Sequence, residues 1–186
     1  MQRAVFLDRD GVLNLTVLRA GISTPPASVD ELYILPGVPD ACALLKGAGF
    51  LLIVVTNQPD VARGSAALET VEAINEEIRS SLPVDDIRVC YHDDDDRCAC
   101  RKPNPGLLLQ AAADWKIDVV ASFMVGDRWK DVEAGKRAGC RTILIGKGPE
   151  PGRNTHPDHT AQSLAEAARW ILQQASVVPE RTNEIR

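Results

Sequence analysis

Residues 4–14 read AVFLDRDGVLN, an apolar run followed at once by charged residues. An uninterrupted apolar run that ends abruptly in charged residues is typical of a strand buried on both faces of a parallel sheet. Asp8 and Asp10 follow the run two residues apart, and in extended backbone that spacing places both carboxylates on one side. Gly11 permits the sharp turn that comes next, and two close carboxylates repel each other unless a cation or a shared proton compensates. Taken alone, the stretch fits a catalytic strand end and a solvated turn equally well.

The same strand character recurs four times along the chain. Apolar runs rich in β-branched residues lie at 50–56, 87–91, 122–127 and 141–146. Helical patterns, with apolar residues three and four apart, lie between or after them near 37–48, 67–81, 104–115, 129–138 and 161–174. Gly49 and Gly139 follow two of these patterns, where glycines that end helices belong. This alternation predicts an α/β fold, a three-layer Rossmann-like parallel sheet with helices on both faces.

Two connections depart from this alternation. Residues 14–36 contain Pro25-Pro26 and are predicted to form a flap beside the site rather than part of the core. Residues 147–160 are rich in glycine and proline and are predicted to form a loop before the last helix. The chain then fits a single domain over residues 1–176, followed by a flexible polar tail at 177–186.

Composition excludes several classes of protein. The 186 residues carry a net charge of −5 with a pI near 5.2, which argues against the basic face that nucleic-acid binding requires. No apolar run approaches the roughly 20 residues that span a bilayer, and the N-terminal MQRAVFLD does not resemble a secretory signal. We therefore expect a cytoplasmic protein that binds neither nucleic acid nor membrane. No interface signal stands out, so we expect a monomer.

Polar side chains follow the other predicted strands at the edge where a parallel sheet binds its ligands. They are Thr56, Asn57 and Gln58 after the second strand, Arg63 downstream, Arg101-Lys102-Pro103 after the third strand, and Asp127 and Asp131 after the fourth. Hydroxyl and amide groups offer donors to an anion, and a lysine binds phosphate as a point charge. The carboxylate of Asp127 suits a hard cation that keeps several waters, as Mg²⁺ does. Pro103 is predicted to lie in the first turn of the next helix, whose N-terminus favours anions.

A cysteine-rich stretch at residues 90–103, CYHDDDDRCACRKP, suggests a second kind of metal site. The candidate ligands are Cys90, His92, Cys98 and Cys100. Three thiolates and one imidazole form a closed tetrahedral set, which is typical of structural Zn²⁺; the alternative is a reduced cluster of thiols without metal. Aspartates 93–96 lack the alternating ligand spacing and the closing glutamate of a calcium loop, so a solvated acidic loop that offsets nearby arginines is predicted.

In combination these motifs resemble a known family. DxDG, a strand ending in Thr, Lys-Pro and GDxxxD occur in the order found in the haloacid dehalogenase superfamily of phosphohydrolases. LDRDGVLN, VVTNQ…ARG, CxH…CxCRKP…PG and MVGD…D look like the D-glycero-D-manno-heptose 1,7-bisphosphate phosphatases and the related histidinol phosphatase domain. The resemblance covers about residues 4–146. Many members of the superfamily carry a large cap domain, but the connections at 14–36 and 57–67 are too short for one, so an open site is expected.

The resemblance implies a Mg²⁺-dependent phosphomonoester hydrolase that works through an aspartyl-phosphate. Asp8 would be the nucleophile, and Asp10 would protonate the leaving alkoxide and later take a proton from water. Mg²⁺ would be held by the carboxylates of Asp8 and Asp127 and by the main-chain carbonyl of Asp10. A non-catalytic scaffold on the same fold is the contrary hypothesis, and the intact Asp8, Asp10, Asp127 and Lys102 argue against it.

Further residues gain roles through the same resemblance. Thr56 and Lys102 would hold the transferring phosphoryl oxygens and stabilise charge in the transition state. Asp131 would orient Lys102 or a metal-bound water. Arg9 and Arg128 also flank the predicted site, but their positions do not fix where their side chains point.

The implied substrate is a small phosphorylated metabolite, D-glycero-D-manno-heptose 1,7-bisphosphate, which would lose its 7-phosphate. Asn57, Arg63 and Arg101 are the candidates for recognition, because a second phosphate needs cations away from the Mg²⁺ and an arginine fork suits it. Histidinol phosphate is the alternative substrate; with one phosphate and an amine, it should not need the arginine pair. Pro59-Asp60 departs from the small Ser-Gly-type turn of the heptose enzymes and adds a negative charge near the pocket, which weakens the substrate assignment.

Overall fold

The computed structural model describes residues 1–146, 148 and 155–176, and it forms the predicted α/β fold. The strands are β1 (Arg3–Leu7), β2 (Val17–Arg19), β3 (Ile22–Thr24), β4 (Phe50–Asn57), β5 (Asp86–Cys90), β6 (Phe123–Gly126), β7 (Arg141–Ile145) and β8 (His159–Ala161). The helices are α1 (Val38–Gly47), α2 (Leu68–Ser81), α3 (Gly106–Trp115), α4 (Trp129–Ala138) and α5 (Leu164–Ser176). All five predicted strands and all five predicted helices are present, so the fold class is confirmed.

The main sheet is parallel throughout, and β1 lies in its middle, between β4 and β6. Its order is β5-β4-β1-β6-β7-β8. Leu7 of β1 is in register with Val54 of β4 on one side and with Val125 of β6 on the other. Because the three strands run in one direction, the polar residues that follow them meet at the same edge of the sheet.

Alternation along each strand divides the core into two layers. Val5 and Leu7 pack in the layer formed with α1, α2 and α5, whereas Ala4 and Phe6 pack in the layer formed with α3 and α4. All four residues are fully buried, and burying a side chain as large as that of Leu7 or Phe6 contributes about 1.5–3 kcal/mol. The sheet is therefore covered on both faces, as its continuous apolar runs predict. Among the described residues, no helix is both long and apolar enough to cross a membrane.

The predicted loop at 147–160 contains a strand in its described part. β8 extends the sheet beside β7, with Ala161 opposite Ile145. This strand is only three residues long and includes His159 and Thr160, so it lacks the apolar run that marks the other strands. Residue 147, residues 149–154 and the predicted tail at 177–186 lie outside the described residues.

The connection at 14–36 forms a small flap, and no cap domain lies between β1 and α1 in this fully described stretch. β2 and β3 pair antiparallel around Ala20 and Gly21, which have φ values of +48° and +78°. Two consecutive positive φ values suit a tight hairpin turn, because they match the twist of the strands. Leu18 and Ile22 are exposed on this hairpin.

Helix ends near the site follow local geometry. Gly49 and Gly139 have φ values of +81° and +92° after α1 and α4, which confirms their predicted places. The prediction for Pro103 is wrong, because α3 begins at Gly106 and Pro103 lies in the turn before it. The N–H of Asn104 donates to the carbonyl of Arg101 at 2.8 Å and closes that turn. Lys102 is therefore presented from a turn and not from a helix N-terminus.

Candidate active site

The carboxyl edge of the sheet opens into a cleft of about 470 Å³. Among the residues predicted from the sequence, the cleft is lined by Asp8, Asp10, Thr56, Asn57, Arg63, Arg101, Lys102, Arg128 and Asp131. Asp127 lies beside them, with its carboxylate within 4.8 Å of those of Asp8 and Asp131. The flap contributes Ile22 to the cleft, and the start of α4 contributes Trp129 and Lys130, whose part in the site the sequence did not indicate.

Lys102 links two acidic residues in the floor of the site. It is 2% exposed, and its Nζ lies 2.6 Å from Asp8 Oδ1 and 2.6 Å from Asp131 Oδ1. Nζ also donates to the carbonyl oxygen of Val55 at 2.8 Å. Burial opposes the charge, but Asp131 and Asp8 outweigh it, so the pKa of Lys102 is raised. The side chain is therefore a cation held in one position, where it can bind a phosphoryl oxygen.

Three carboxylates form a group that could hold a metal ion. The candidate ligand oxygens of Asp8, Asp127 and Asp131 all lie within 4.8 Å of one another. Burial raises the pKa of Asp8 to about 8, against the opposing effect of Lys102. Burial and the neighbouring charge of Asp131 raise the pKa of Asp127 to about 6. Asp127 Oδ1 is buried without a hydrogen-bond partner among the described residues, so a hard divalent cation such as Mg²⁺ fits this group.

Two glycines allow the acidic residues to approach each other. A Cβ atom on Gly11 would lie 2.4 Å from Asp127 Oδ2, and the φ of Gly11 is +90°. A Cβ atom on Gly126 would lie 2.1 Å from the Cβ of Asp131. Both collisions would displace a carboxylate of the metal group, so the geometry of the site requires glycine at both positions.

Asp10 is fixed by donors from three side chains. Arg9 donates from Nη2 at 3.0 and 3.3 Å and from Nε at 3.2 Å. Asn14 Nδ2 donates to Oδ1 of Asp10 at 3.0 Å, and Gln58 Nε2 donates to Oδ2 at 2.7 Å. Arg9 is fully buried and also donates to Asn75 Oδ1 at 2.9 Å. Arg9 therefore positions Asp10 from within the protein, an orientation that its place in the sequence does not reveal.

Thr56 and Gln58 belong to the same buried network. Thr56 is 1% exposed, and its Oγ1 accepts a hydrogen bond from Gln58 Nε2 at 2.8 Å. The same Gln58 nitrogen donates to Asp10, so it joins the end of β4 to the end of β1. The hydroxyl hydrogen of Thr56 remains to be donated towards the cleft.

Asn57 is engaged with the backbone of Lys102. Its Nδ2 donates to the carbonyl oxygen of Lys102 at 3.0 Å, and its Oδ1 accepts from the N–H of Lys102 at 3.1 Å. Asn57 also lines the cleft, and each end of its amide makes one hydrogen bond to the backbone of Lys102. The structure therefore places this candidate for substrate recognition where it positions Lys102.

Arg63 and Arg101 line the cleft while paired with carboxylates. Arg63 donates to Asp93 from Nε at 2.7 Å and from Nη2 at 2.5 Å, and its Nη1 lies 3.5 Å from Asp60 Oδ1. Arg101 donates to Asp94 from Nε at 2.7 Å. Arg101 is 8% exposed, whereas Arg63 is largely open to solvent. The acidic loop, predicted to be solvated and to offset nearby arginines, thus pairs with both of the arginines predicted to bind phosphate.

The cysteines and the histidine of the loop come together. Cys100 Sγ lies 3.1 Å from Cys90 Sγ and 3.3 Å from Cys98 Sγ, and the latter two sulfurs are 3.7 Å apart. His92 Nδ1 lies 3.3 Å from Cys100 Sγ and 3.6 Å from Cys90 Sγ. Four atoms spaced in this way surround a point that a tetrahedral ion can occupy. The N–H of Arg101 donates to Cys98 Sγ at 3.3 Å, which joins the cluster directly to the turn that presents Lys102.

Comparison with known proteins gives consistent results. A family model described as HAD-hydrolase-like matches residues 99–167. The D-glycero-β-D-manno-heptose-1,7-bisphosphate 7-phosphatase of Yersinia pestis is 35% identical over 189 residues, which covers 95% of this chain and 93% of that protein. The enzyme of the same name from Bordetella bronchiseptica is 36% identical over 185 residues, covering 93% of this chain and 99% of the relative.

A solved structure extends the likeness to three dimensions. The crystal structure of D,D-heptose 1,7-bisphosphate phosphatase from B. bronchiseptica, complexed with magnesium and phosphate, superposes with a TM-score of 0.80. It is 34% identical and covers 94% of this chain and 100% of its own. A putative HAD-like phosphatase from Mesorhizobium loti, at 28% identity, gives a TM-score of 0.73 and covers 97% of this chain and 89% of its own.

Proposed function

Because this chain belongs to the family of HAD-like D-glycero-β-D-manno-heptose-1,7-bisphosphate 7-phosphatases, we propose that it removes the 7-phosphate of a heptose 1,7-bisphosphate. The observation that carries the proposal is the arrangement of Asp8, Lys102 and Asp127 at one strand edge, within a chain that matches its relatives over nearly their whole length. A carboxylate nucleophile, a buried cation and a metal-binding carboxylate are what phosphoryl transfer through a covalent intermediate requires.

Asp8 is the proposed nucleophile. An oxygen of its carboxylate attacks phosphorus, the bond between phosphorus and the sugar oxygen breaks, and an aspartyl-phosphate forms. Water then attacks that phosphorus, the bond to Asp8 breaks, and inorganic phosphate leaves. Lys102 is already 2.6 Å from Asp8 Oδ1, so it lies beside the transferring group throughout both steps.

Asp10 is the proposed acid and base. In the first step it gives a proton to the leaving sugar oxygen, and in the second it takes a proton from the attacking water. The hydrogen bonds from Arg9, Asn14 and Gln58 hold the carboxyl group in one orientation where it lines the cleft together with Asp8. A group that acts in both steps must stay in reach of the same two oxygens.

The residues present fit Mg²⁺. The carboxylates of Asp8 and Asp127 and the main-chain carbonyl of Asp10 would hold it, and the unpaired Asp127 Oδ1 supports this assignment. When bound, Mg²⁺ supplies positive charge that offsets the repulsion between a carboxylate and a phosphate dianion. Asp131 is then left to orient Lys102, which it contacts at 2.6 Å.

A structural Zn²⁺ is the second proposed metal. Cys90, His92, Cys98 and Cys100 supply four ligands with no open position, so this ion would fix the loop and take no part in the reaction. The loop leads directly into Arg101 and Lys102, so an ion that fixes the loop would also help to position these two residues.

We also propose that the chain acts in the cytoplasm as a monomer built on one domain, residues 1–176. Sedimentation velocity at micromolar concentration should give one species of about 20 kDa, since the chain mass is 20.2 kDa.

Phosphate release from a panel of phosphoesters tests the substrate. Heptose 1,7-bisphosphate should be hydrolysed with the highest kcat/KM, and Asp8→Asn should abolish turnover of every substrate in the panel. Histidinol phosphate is the competing candidate, since the cysteine loop fits that enzyme equally well. Turnover of histidinol phosphate above the bisphosphate would replace the proposed substrate, and full activity of Asp8→Asn would remove the nucleophile assignment.

A further inference from the structure

One wall of the cleft carries three cations, each next to a carboxylate. The cations are Arg63, Arg101 and Lys130. Asp93 takes the Arg63 fork at 2.5 and 2.7 Å and lies 3.9 Å from Arg101 Nη2. Asp94 Oδ1 lies 2.7 Å from Arg101 Nε and 3.7 Å from Lys130 Nζ. Neither aspartate lines the cleft itself, so both approach the cations from behind.

The backbone of the loop fixes these two aspartates. Asp93 caps the turn at Asp94–Asp96: its Oδ1 accepts from the N–H of Asp94 at 2.7 Å, and its own N–H donates to Asp96 Oδ2 at 2.7 Å. The turn lies between His92 and Cys98, two members of the cysteine-histidine cluster. The Asp93 carboxylate is therefore held in place by the backbone of the loop, whereas the Asp94 carboxylate is held by its contacts with Arg101 and Lys130.

Neighbouring carboxylates offset much of the positive charge at this wall. Arg63, Arg101 and Lys130 are paired with Asp93, Asp94 and Asp60, and Arg128, a further cation that lines the cleft, lies 3.9 Å from Asp127. A second phosphate that reaches this wall thus meets arginine donors whose positive potential is reduced by resident carboxylates. Arg63 has its Nε and Nη2 committed to Asp93, so the phosphate must share the fork with a resident carboxylate.

We propose that Asp93 and Asp94 determine specificity by acting as built-in counter-ions that weaken the hold of Arg63 and Arg101 on the second phosphate of the substrate. This inference rests on the proposed function, because the reaction leaves that phosphate on the product. A partly neutralised wall still recognises a bisphosphate through arginine donors, yet it releases a product that carries the same group. The two aspartates therefore set how strongly the enzyme distinguishes bisphosphates from monophosphates.

The test is the double variant Asp93→Asn with Asp94→Asn, with Asp95→Asn as a matched control. Asparagine keeps the capping acceptor at position 93, and Asp95 lies in the same turn without an ion pair to any described residue. In the double variant, the KM for heptose 1,7-bisphosphate and the inhibition constant of its 1-phosphate product should both fall about tenfold, as expected when two like charges near an anion site are removed. The KM for heptose 7-phosphate should change less than about twofold, and Asp95→Asn should change neither constant.

Raised ionic strength should shrink the difference between double variant and wild type, because the effect is electrostatic. An unchanged or higher KM for the bisphosphate in the double variant, with zinc content and thermal unfolding as in the wild type, would overturn the inference. If the double variant loses zinc, the single variant Asp94→Asn is used as the test instead. Its KM for heptose 1,7-bisphosphate should also fall, but by less than in the double variant.

A second arm separates this inference from the proposed substrate. Fructose 1,6-bisphosphate and fructose 6-phosphate are used as competitive inhibitors of p-nitrophenyl phosphate hydrolysis. Inhibition by the bisphosphate alone should strengthen in the double variant. If the wild type does not hydrolyse heptose 1,7-bisphosphate, the proposed substrate fails while this arm still tests the counter-ions; equal inhibition in variant and wild type would refute them.

Discussion

The side-chain amide of Asn57 binds both backbone polar groups of Lys102, donating to its carbonyl at 3.0 Å and accepting from its N–H at 3.1 Å. The two residues are 45 positions apart in the chain, and the contact joins the end of β4 to the turn that presents Lys102. An amide that uses both ends in this way resists displacement of that turn in either direction. Asn57 is thus a positioning residue for Lys102.

Asn57→Ala should lower kcat/KM about 10–100-fold, because it removes two partly buried hydrogen bonds worth about 0.5–1.5 kcal/mol each. The loss should fall mainly on kcat and be the same for a bisphosphate and for p-nitrophenyl phosphate. Steady-state kinetics with both substrates make the comparison. A loss confined to the KM of the bisphosphate would show that Asn57 recognises substrate directly, as its strand-end position first suggested.

Lys102→Met should be far more destabilising than loss of a surface pair. Lys102 is buried between Asp8 and Asp131, and removing one member of a buried charge cluster costs about 3–5 kcal/mol. Lys46→Met is the matched control, since Lys46 contacts Asp85 at 2.7 Å with its side chain 33% exposed, and such pairs are worth about 0–1 kcal/mol.

Urea unfolding of both variants in the absence of Mg²⁺ measures the difference in the free energy of unfolding. An equal decrease in the free energy of unfolding of the two variants would mean that Lys102 is not the main cation compensating the charge of the buried carboxylates. The Lys102 variant should also lose activity by about 10²–10³ in kcat, because it lacks a charge that stabilises the transition state, whereas Lys46→Met should retain wild-type kinetics.

Zinc should be present at about one ion per chain and should hold the loop. Cys98→Ser should abolish stoichiometric zinc and lower both stability and activity, because a structural ion contributes folding free energy directly. Cys140→Ser is the control, as Cys140 is buried outside the cluster and its change should leave zinc content intact. Elemental analysis of protein purified without chelators measures the zinc content per chain. A wild-type protein without stoichiometric zinc would contradict the proposal.

The sequence predicted the site largely because a parallel sheet converts strand ends into neighbours. Asp8, Thr56 and Asp127 each follow an apolar run, so their convergence needed no knowledge of strand order. What escaped prediction depended on side-chain direction or on pairing across the loop. Arg9 lies between two aspartates of the site, yet it is fully buried and contacts Asn75. No periodic pattern in the sequence predicts that its side chain points into the protein.

Short strands and ion pairs between residues distant in the chain were the other features that the sequence did not predict. β8 and the flap strands are three residues long, too short for hydrophobic alternation to reveal them. Arg63 and Asp93 are 30 positions apart, and their pairing follows only once the loop is folded. The acidic run predicted a solvated loop that offsets nearby arginines, but it did not reveal that Asp93 pairs with Arg63 and Asp94 with Arg101.

Gly11→Ala should impair metal binding beyond its effect on the backbone. Gly49→Ala is the matched control: both glycines have positive φ, +90° and +81°, but a Cβ on Gly49 meets nothing within 4 Å, whereas a Cβ on Gly11 would lie 2.4 Å from Asp127 Oδ2. Both variants should lose about 1–3 kcal/mol of stability from backbone strain. Gly11→Ala alone should raise the Mg²⁺ concentration for half-maximal activity about 10–100-fold, because it displaces a proposed ligand. Titration of activity with Mg²⁺ measures this concentration for both variants. Equal concentrations for half-maximal activity would mean that Asp127 does not bind the ion.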